Sequence, residues 1–210
     1  MERMFAMRIL CIGDSNTYGF DPRSYIGERY PETIRWTGLL TRHDVINWGI
    51  NGIAVPHDHY VYVDLIRRKE PDLVIVMLGS NDILEGKSAL QTSARMEEFI
   101  DSIRLARKKI LLIAPPSLQE GEAVESEQII KESQKLGSLY GELAARKDCL
   151  FADADKWGIE LAFDGVHFSP DGHSTFAVVA VESASRGVPR WLARCSPGRQ
   201  RRRPDRKSVV

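Results

Sequence analysis

The chain has 210 residues, of which 43% are hydrophobic and 28% charged, and a formal net charge of +0. That size and balance suit one globular domain with a sizeable core, and they exclude a disordered chain, a pair of full domains and a membrane-spanning protein. The even charge conceals a basic tail, because from Arg186 onward nine Lys or Arg stand against one acidic residue, Asp205.

The expected division is therefore a domain over residues 1–185 and a basic, disordered tail over residues 186–210. The tail's most basic stretch, residues 198–207, has no interleaved aromatics and no apolar periodicity, so neither nucleic acid nor a membrane surface is expected as a partner. The first seven residues lack the long apolar stretch of a secretory signal. Three cysteines, Cys11, Cys149 and Cys195, are too few and too widely spaced for a disulfide framework or a thiolate zinc site. A reducing, cytoplasmic setting is expected, with no metal and no cofactor.

In chain order, the first element is a strand at residues 8–12, a nearly continuous apolar run of the kind a parallel sheet buries on both faces. It leads into Gly13-Asp14-Ser15-Asn16-Thr17-Tyr18-Gly19, a serine at the strand's carboxyl end just before a helix start. A hydroxyl placed there reaches a cleft, and helix-start N–H groups can stabilise an oxyanion. An ordinary Asp or Ser helix cap gives the same pattern. The second strand, residues 45–48, runs into Asn47-Trp48-Gly49-Ile50-Asn51-Gly52, where either glycine lets a backbone N–H approach a substrate oxygen. Trp48 and Tyr18 are candidate linings of a substrate pocket. His57 and His59 open a helix over residues 57–69, and at i, i+2 they do not face one direction, which argues against zinc.

The third strand, residues 73–78, delivers Gly79-Ser80-Asn81-Asp82, with the Asn81 amide as a donor or a cap. An amphipathic helix follows at 90–107, then a strand at 110–114, a helix at 127–146 and a strand at 150–152. Last comes Asp164-Gly165-Val166-His167-Phe168-Ser169-Pro170, before a helix opening at Asp171 or Gly172. Three positions apart on a loop, Asp164 can reach His167 Nδ1 and leave Nε2 free to activate a serine hydroxyl. Alternating strands and helices predict an α/β fold: a three-layer α/β/α sandwich with a five-stranded parallel, flavodoxin-like sheet, whose ligands gather beyond the strands' carboxyl ends.

Taken in order, Gly13-Asp14-Ser15-Asn16, the glycine of Asn51-Gly52, Gly79-Ser80-Asn81-Asp82 and Asp164-x-x-His167 resemble the sequence blocks of SGNH (GDSL-type) serine hydrolases. The resemblance implies Ser15 as nucleophile, His167 as general base and Asp164 as its partner. It also implies an oxyanion hole made by the Ser15 N–H, the Gly52 N–H and the Asn81 amide; the Asn-Gly pair favours Gly52 over Gly49. Residues 8–13, 29–38 and 74–79 are similar to the arylesterase and acyltransferase branch, some of whose members are homo-oligomers. Tyr18 stands where many of them carry Trp, so their oligomeric state does not transfer. The expected function is a serine carboxylic-ester hydrolase acting on short-chain acyl or acetyl esters of small molecules through an acyl-enzyme. Acyl transfer by the same triad and a flavodoxin-like phosphate-binding module are the alternatives.

Overall fold

The structure is a computed structural model that describes residues 6–24 and 26–186. All but the first residue of the expected basic tail lies outside the described residues. Five strands, β1 (Arg8–Gly13), β2 (Asp44–Gly49), β3 (Leu73–Met77), β4 (Lys109–Ala114) and β5 (Leu150–Asp153), form one parallel sheet in the order β2-β1-β3-β4-β5. This is the flavodoxin-type order, and it reverses between β1 and β3, where the chain ends part and leave a crevice.

Eight α-helices are described: α1 (Ser15–Tyr18), α2 (Trp36–Leu39), α3 (His59–Lys69), α4 (Ser80–Leu84), α5 (Ala89–Ile103), α6 (Glu127–Ser133), α7 (Leu136–Lys147) and α8 (Pro170–Arg186). The inner strands β1, β3 and β4 are nearly continuous in apolar residues because both faces are covered. Leu10, Ile12, Val74, Val76 and Leu112 meet Leu65 and Ile66 of α3, Phe99 and Ile100 of α5, and Tyr140 and Leu143 of α7. Their neighbours Ile9, Cys11, Ile75, Met77 and Ile113 meet Trp36 of α2 and Phe176 and Ala180 of α8. Period-two side chains thus feed two cores from one strand, which makes the three-layer sandwich.

The expected helix over 127–146 is two helices. The Ser133 hydroxyl donates to Ile130 O at 2.7 Å and accepts the Leu118 N–H at 2.9 Å. A hydroxyl bonded back to its own helix competes with the ladder and bends it. Beyond it the Lys135 N–H reaches Glu132 O, three residues back rather than four. By contrast, α5 starts sharply at a capping box in which Ser88 Oγ accepts the Gln91 N–H and the Gln91 side chain accepts the Ser88 N–H.

Candidate active site

At the carboxyl end of β1, Gly13 has no room for a side chain: a Cβ there would lie 2.0 Å from Thr17 Oγ1 and 2.8 Å from Met77 O. The chain therefore turns tightly into α1. The Asp14 carboxylate accepts the Asn16 N–H at 3.0 Å, and Ser15 occupies the first helical position. Ser15 is 6% exposed, and among the described residues its N–H has no acceptor, as expected at a helix start.

The loop before α8 brings the other two residues to this point. Ser15 Oγ lies 3.0 Å from His167 Nε2, and His167 Nδ1 lies 2.6 Å from Asp164 Oδ2. The second oxygen, Asp164 Oδ1, accepts the Val166 N–H at 2.9 Å and the His167 N–H at 3.0 Å, so the carboxylate is held from two directions. Burial opposes ionisation of Asp164. The bonds from the His167 ring and from the His167 and Val166 N–H groups outweigh it and hold the carboxyl below its ordinary value.

Sequence spacing gave no sign of how the histidine loop is fastened. The Asn16 side chain donates to Val166 O at 3.0 Å and accepts the Phe168 N–H at 2.8 Å, gripping the backbone on both sides of His167. Asn16 O in turn accepts the Trp36 indole N–H at 3.0 Å. The Phe20 ring packs on the His167 ring with centroids 4.6 Å apart, and residues 20 and 29 form an antiparallel bridge beside it. Asp14 or Ser15 could be read as a helix cap, but the partners of Asn16 lie about 150 positions away.

Of the two candidate glycines, Gly49 is packed into the fold. Its N–H donates to Asn47 Oδ1 at 2.9 Å, and a Cβ there would lie 2.0 Å from Tyr18 N. Gly52 is exposed, has φ +70° and faces open space, and its N–H has no acceptor among the described residues. After β3, the Asn81 side-chain amide donates one N–H to Ile53 O at 3.0 Å, which leaves its second N–H uncommitted among the described residues. Tyr18 sits under the Arg29 guanidinium, 4.4 Å from its ring centroid. Trp48 is on edge strand β2, 36% exposed, and among the described residues makes no hydrogen bond or ring contact with Ser15 or His167. His59 is bonded to Ser102 and Pro56, and His57 to Arg95, so the two imidazoles are directed apart. Among the described residues no three His, Cys, Asp or Glu side chains form a metal-binding group, and no helix is long and apolar enough to cross a membrane.

Asp14 lies fully inside the site, and burial pushes its pKa up to about 6 against the Asn16 N–H bond and the His167 charge, which lower it. A carboxyl with a raised folded pKa favours the fold below its ordinary value of 3.8 and loses that contribution as pH climbs through about 6. Asn at this position keeps an oxygen for the Asn16 N–H and carries no charge. Asp14→Asn is therefore expected to melt above wild type at pH 7.5 and level with it at pH 3.5; an equal gap at both values in thermal unfolding would refute the assignment.

A hydroxyl, an imidazole and a carboxylate thus lie in series at the switch point of the parallel sheet of an α/β/α fold. The chain belongs to the GDSL-like lipase/acylhydrolase family, whose model matches residues 11–175, and it is an esterase of that family. A curated relative, the isoamyl acetate-hydrolyzing esterase 1 homolog of Mus musculus, is 27% identical over 79% of this chain and 76% of its own. Among solved structures, the M. smegmatis aryl esterase is similar with a TM-score of 0.78 and 25% identity, covering 87% of this chain and 100% of that one. A carbohydrate acetylesterase family member from Sinorhizobium meliloti gives 0.72 and 25%, with the same coverage.

Proposed function

We propose that this chain hydrolyses short-chain acyl or acetyl esters of small molecules through an acyl-enzyme on Ser15, with His167 as general base and Asp164 orienting it. The observation that carries this reading is the continuous relay of 3.0 Å from Ser15 Oγ to His167 Nε2 and 2.6 Å from His167 Nδ1 to Asp164. In the first half-reaction Ser15 Oγ bonds to the ester carbonyl carbon as His167 takes its proton, and the alcohol leaves with that proton. Water then attacks the acyl carbon as His167 takes its proton, and His167 passes that proton to Ser15 Oγ as the ester bond breaks and the acid departs. The Ser15 N–H, the Gly52 N–H and the free Asn81 N–H are the donors for the oxyanion.

Preference for small acyl groups is supported by the names of two relatives, which speak of acetate and acetyl esters. A phosphate-binding module would leave Asp164 and His167 without a purpose. A cytoplasmic setting, in which the free thiols Cys11 and Cys149 stay reduced, belongs to the same proposal. The test is hydrolysis of p-nitrophenyl acetate, butyrate and octanoate, with mass spectrometry of the quenched enzyme for an acyl group on Ser15. Turnover that falls with chain length and a labelled Ser15 are expected; turnover without label, or a rise toward octanoate, would contradict it.

Removing one oxyanion donor typically lowers turnover about a hundred- to a thousandfold. Asn81→Ala is expected to fall in that range with KM little changed, because the donor acts on charge that develops in the transition state. Steady-state kinetics on the acetate ester check this.

A further inference from the structure

Two of the three proposed oxyanion donors lie on different segments, Gly52 in the turn after β2 and Asn81 in the short helix α4 after β3, and their relative position depends on contacts between those segments. Immediately after Asn81, the Asp82 side chain is 0% exposed. Its Oδ2 accepts the Val55 N–H at 2.8 Å, and its Oδ1 accepts Arg95 Nη1 at 2.6 Å. The other end of the same guanidinium, Arg95 Nη2, donates to Val55 O at 2.5 Å and to His57 Nε2 at 2.9 Å. Both polar groups of the Val55 backbone are thus held by one ion pair, while Asn81 itself holds Ile53 O. The segment that follows Gly52 is bound at residues 53, 55 and 57 to Asn81 and Asp82 of α4 and to Arg95 of α5.

We propose that Asp82 and Arg95 are positioning residues for ester hydrolysis: their ion pair, buried at Asp82 and partly exposed at Arg95, fixes the Gly52 loop against Asn81 and so sets the spacing of the oxyanion donors. The proposal rests on the esterase reading above. A carboxylate alone could hold the Val55 N–H but not its carbonyl, and a guanidinium alone could hold the carbonyl but would lie mostly buried without a counter-charge. The planar fork of arginine reaches both partners at once, which a lysine ammonium on a single stem does not. Neither side chain touches the reacting atoms; their effect passes through the Gly52 N–H and the Asn81 amide.

The informative variant is Arg95→Lys, which keeps a positive charge beside Asp82 while losing the fork. Asp82→Asn combined with Arg95→Gln removes both charges together and serves where the lysine form folds poorly. Donor misplacement of about an ångström costs about a hundredfold. The expected result is a kcat for p-nitrophenyl acetate reduced about ten- to a hundredfold, with KM and the pH profile unchanged. Affinity for a phenylboronic acid, which forms a tetrahedral anionic adduct on Ser15, should fall by a similar factor. A folded variant with wild-type kcat and boronate affinity would overturn the proposal, as would loss of rate matched by melting but not by boronate affinity. Should the wild type itself neither turn over esters nor bind the boronate, the esterase reading fails, and the positioning role with it.

Discussion

Replacing Ser15 by alanine is expected to lower ester hydrolysis about a millionfold, to the level left by the remaining donors and substrate binding. The Oγ is the atom that bonds to the substrate, and its recorded hydrogen bond is to His167 Nε2. Alanine keeps the helix start and the Asp14 cap, since that bond runs to the Asn16 N–H. The variant should therefore fold and melt like wild type, and its inactivity would report chemistry rather than collapse. Single-turnover assays with p-nitrophenyl acetate check this. Retention of a per cent of wild-type turnover by Ser15→Ala would move the nucleophile elsewhere.

The second large effect is expected at Asp164. Asparagine would keep one oxygen for the Val166 and His167 N–H groups, so the loop should remain folded. Its amide would then present an N–H to His167 Nδ1, at the position now 2.6 Å from a carboxylate oxygen. Two donors cannot share that contact, so the ring must take the tautomer with its proton on Nε2. An Nε2–H cannot accept the Ser15 proton, and turnover is expected to fall about 10⁴-fold. A stability signature accompanies this change. Asp164 is held below its ordinary value of 3.8, so its ionised form contributes to the fold above that pH, and the contribution disappears as pH falls through the lower folded value. Asp164→Asn should lack this acid-side loss, which thermal melts between pH 2 and pH 6 would reveal. A variant retaining a tenth of wild-type turnover would remove Asp164 from the relay.

The five strands were readable because each carries a nearly continuous apolar run, broken in β2 only by Asn47. The long helices were readable from their periodicity. Helices α1, α2 and α4 have only four or five residues, too few to display a period, and the division between α6 and α7 depends on one hydroxyl bond from Ser133. At the site, Ser15, Asp164 and His167 could be picked out because each lies in a short motif beside a strand end or a turn. Asn16, Phe20, Asp82 and Arg95 could not be assigned their tasks, since each acts on backbone or rings from a distant part of the chain. Asp82 was visible only as a neighbour of Asn81, and Arg95 as one more charged residue on an amphipathic helix. Hydrogen bonds from side chain to remote backbone leave no spacing in sequence.

The Asn16 staple carries a consequence for synthesis of the protein. Ser15 and His167 are 152 positions apart, and the two bonds that bring their segments together, to Val166 and Phe168, span about the same interval. On a ribosome adding about 5–20 residues per second, about 8 to 30 seconds separate the emergence of Ser15 from that of its base. Once β2 and β3 have emerged they can pair with β1 while the hydroxyl remains an ordinary alcohol. Esterase activity should therefore arise late in translation and abruptly, once the segment bearing Phe168 has docked, so that the nascent chain is born inert.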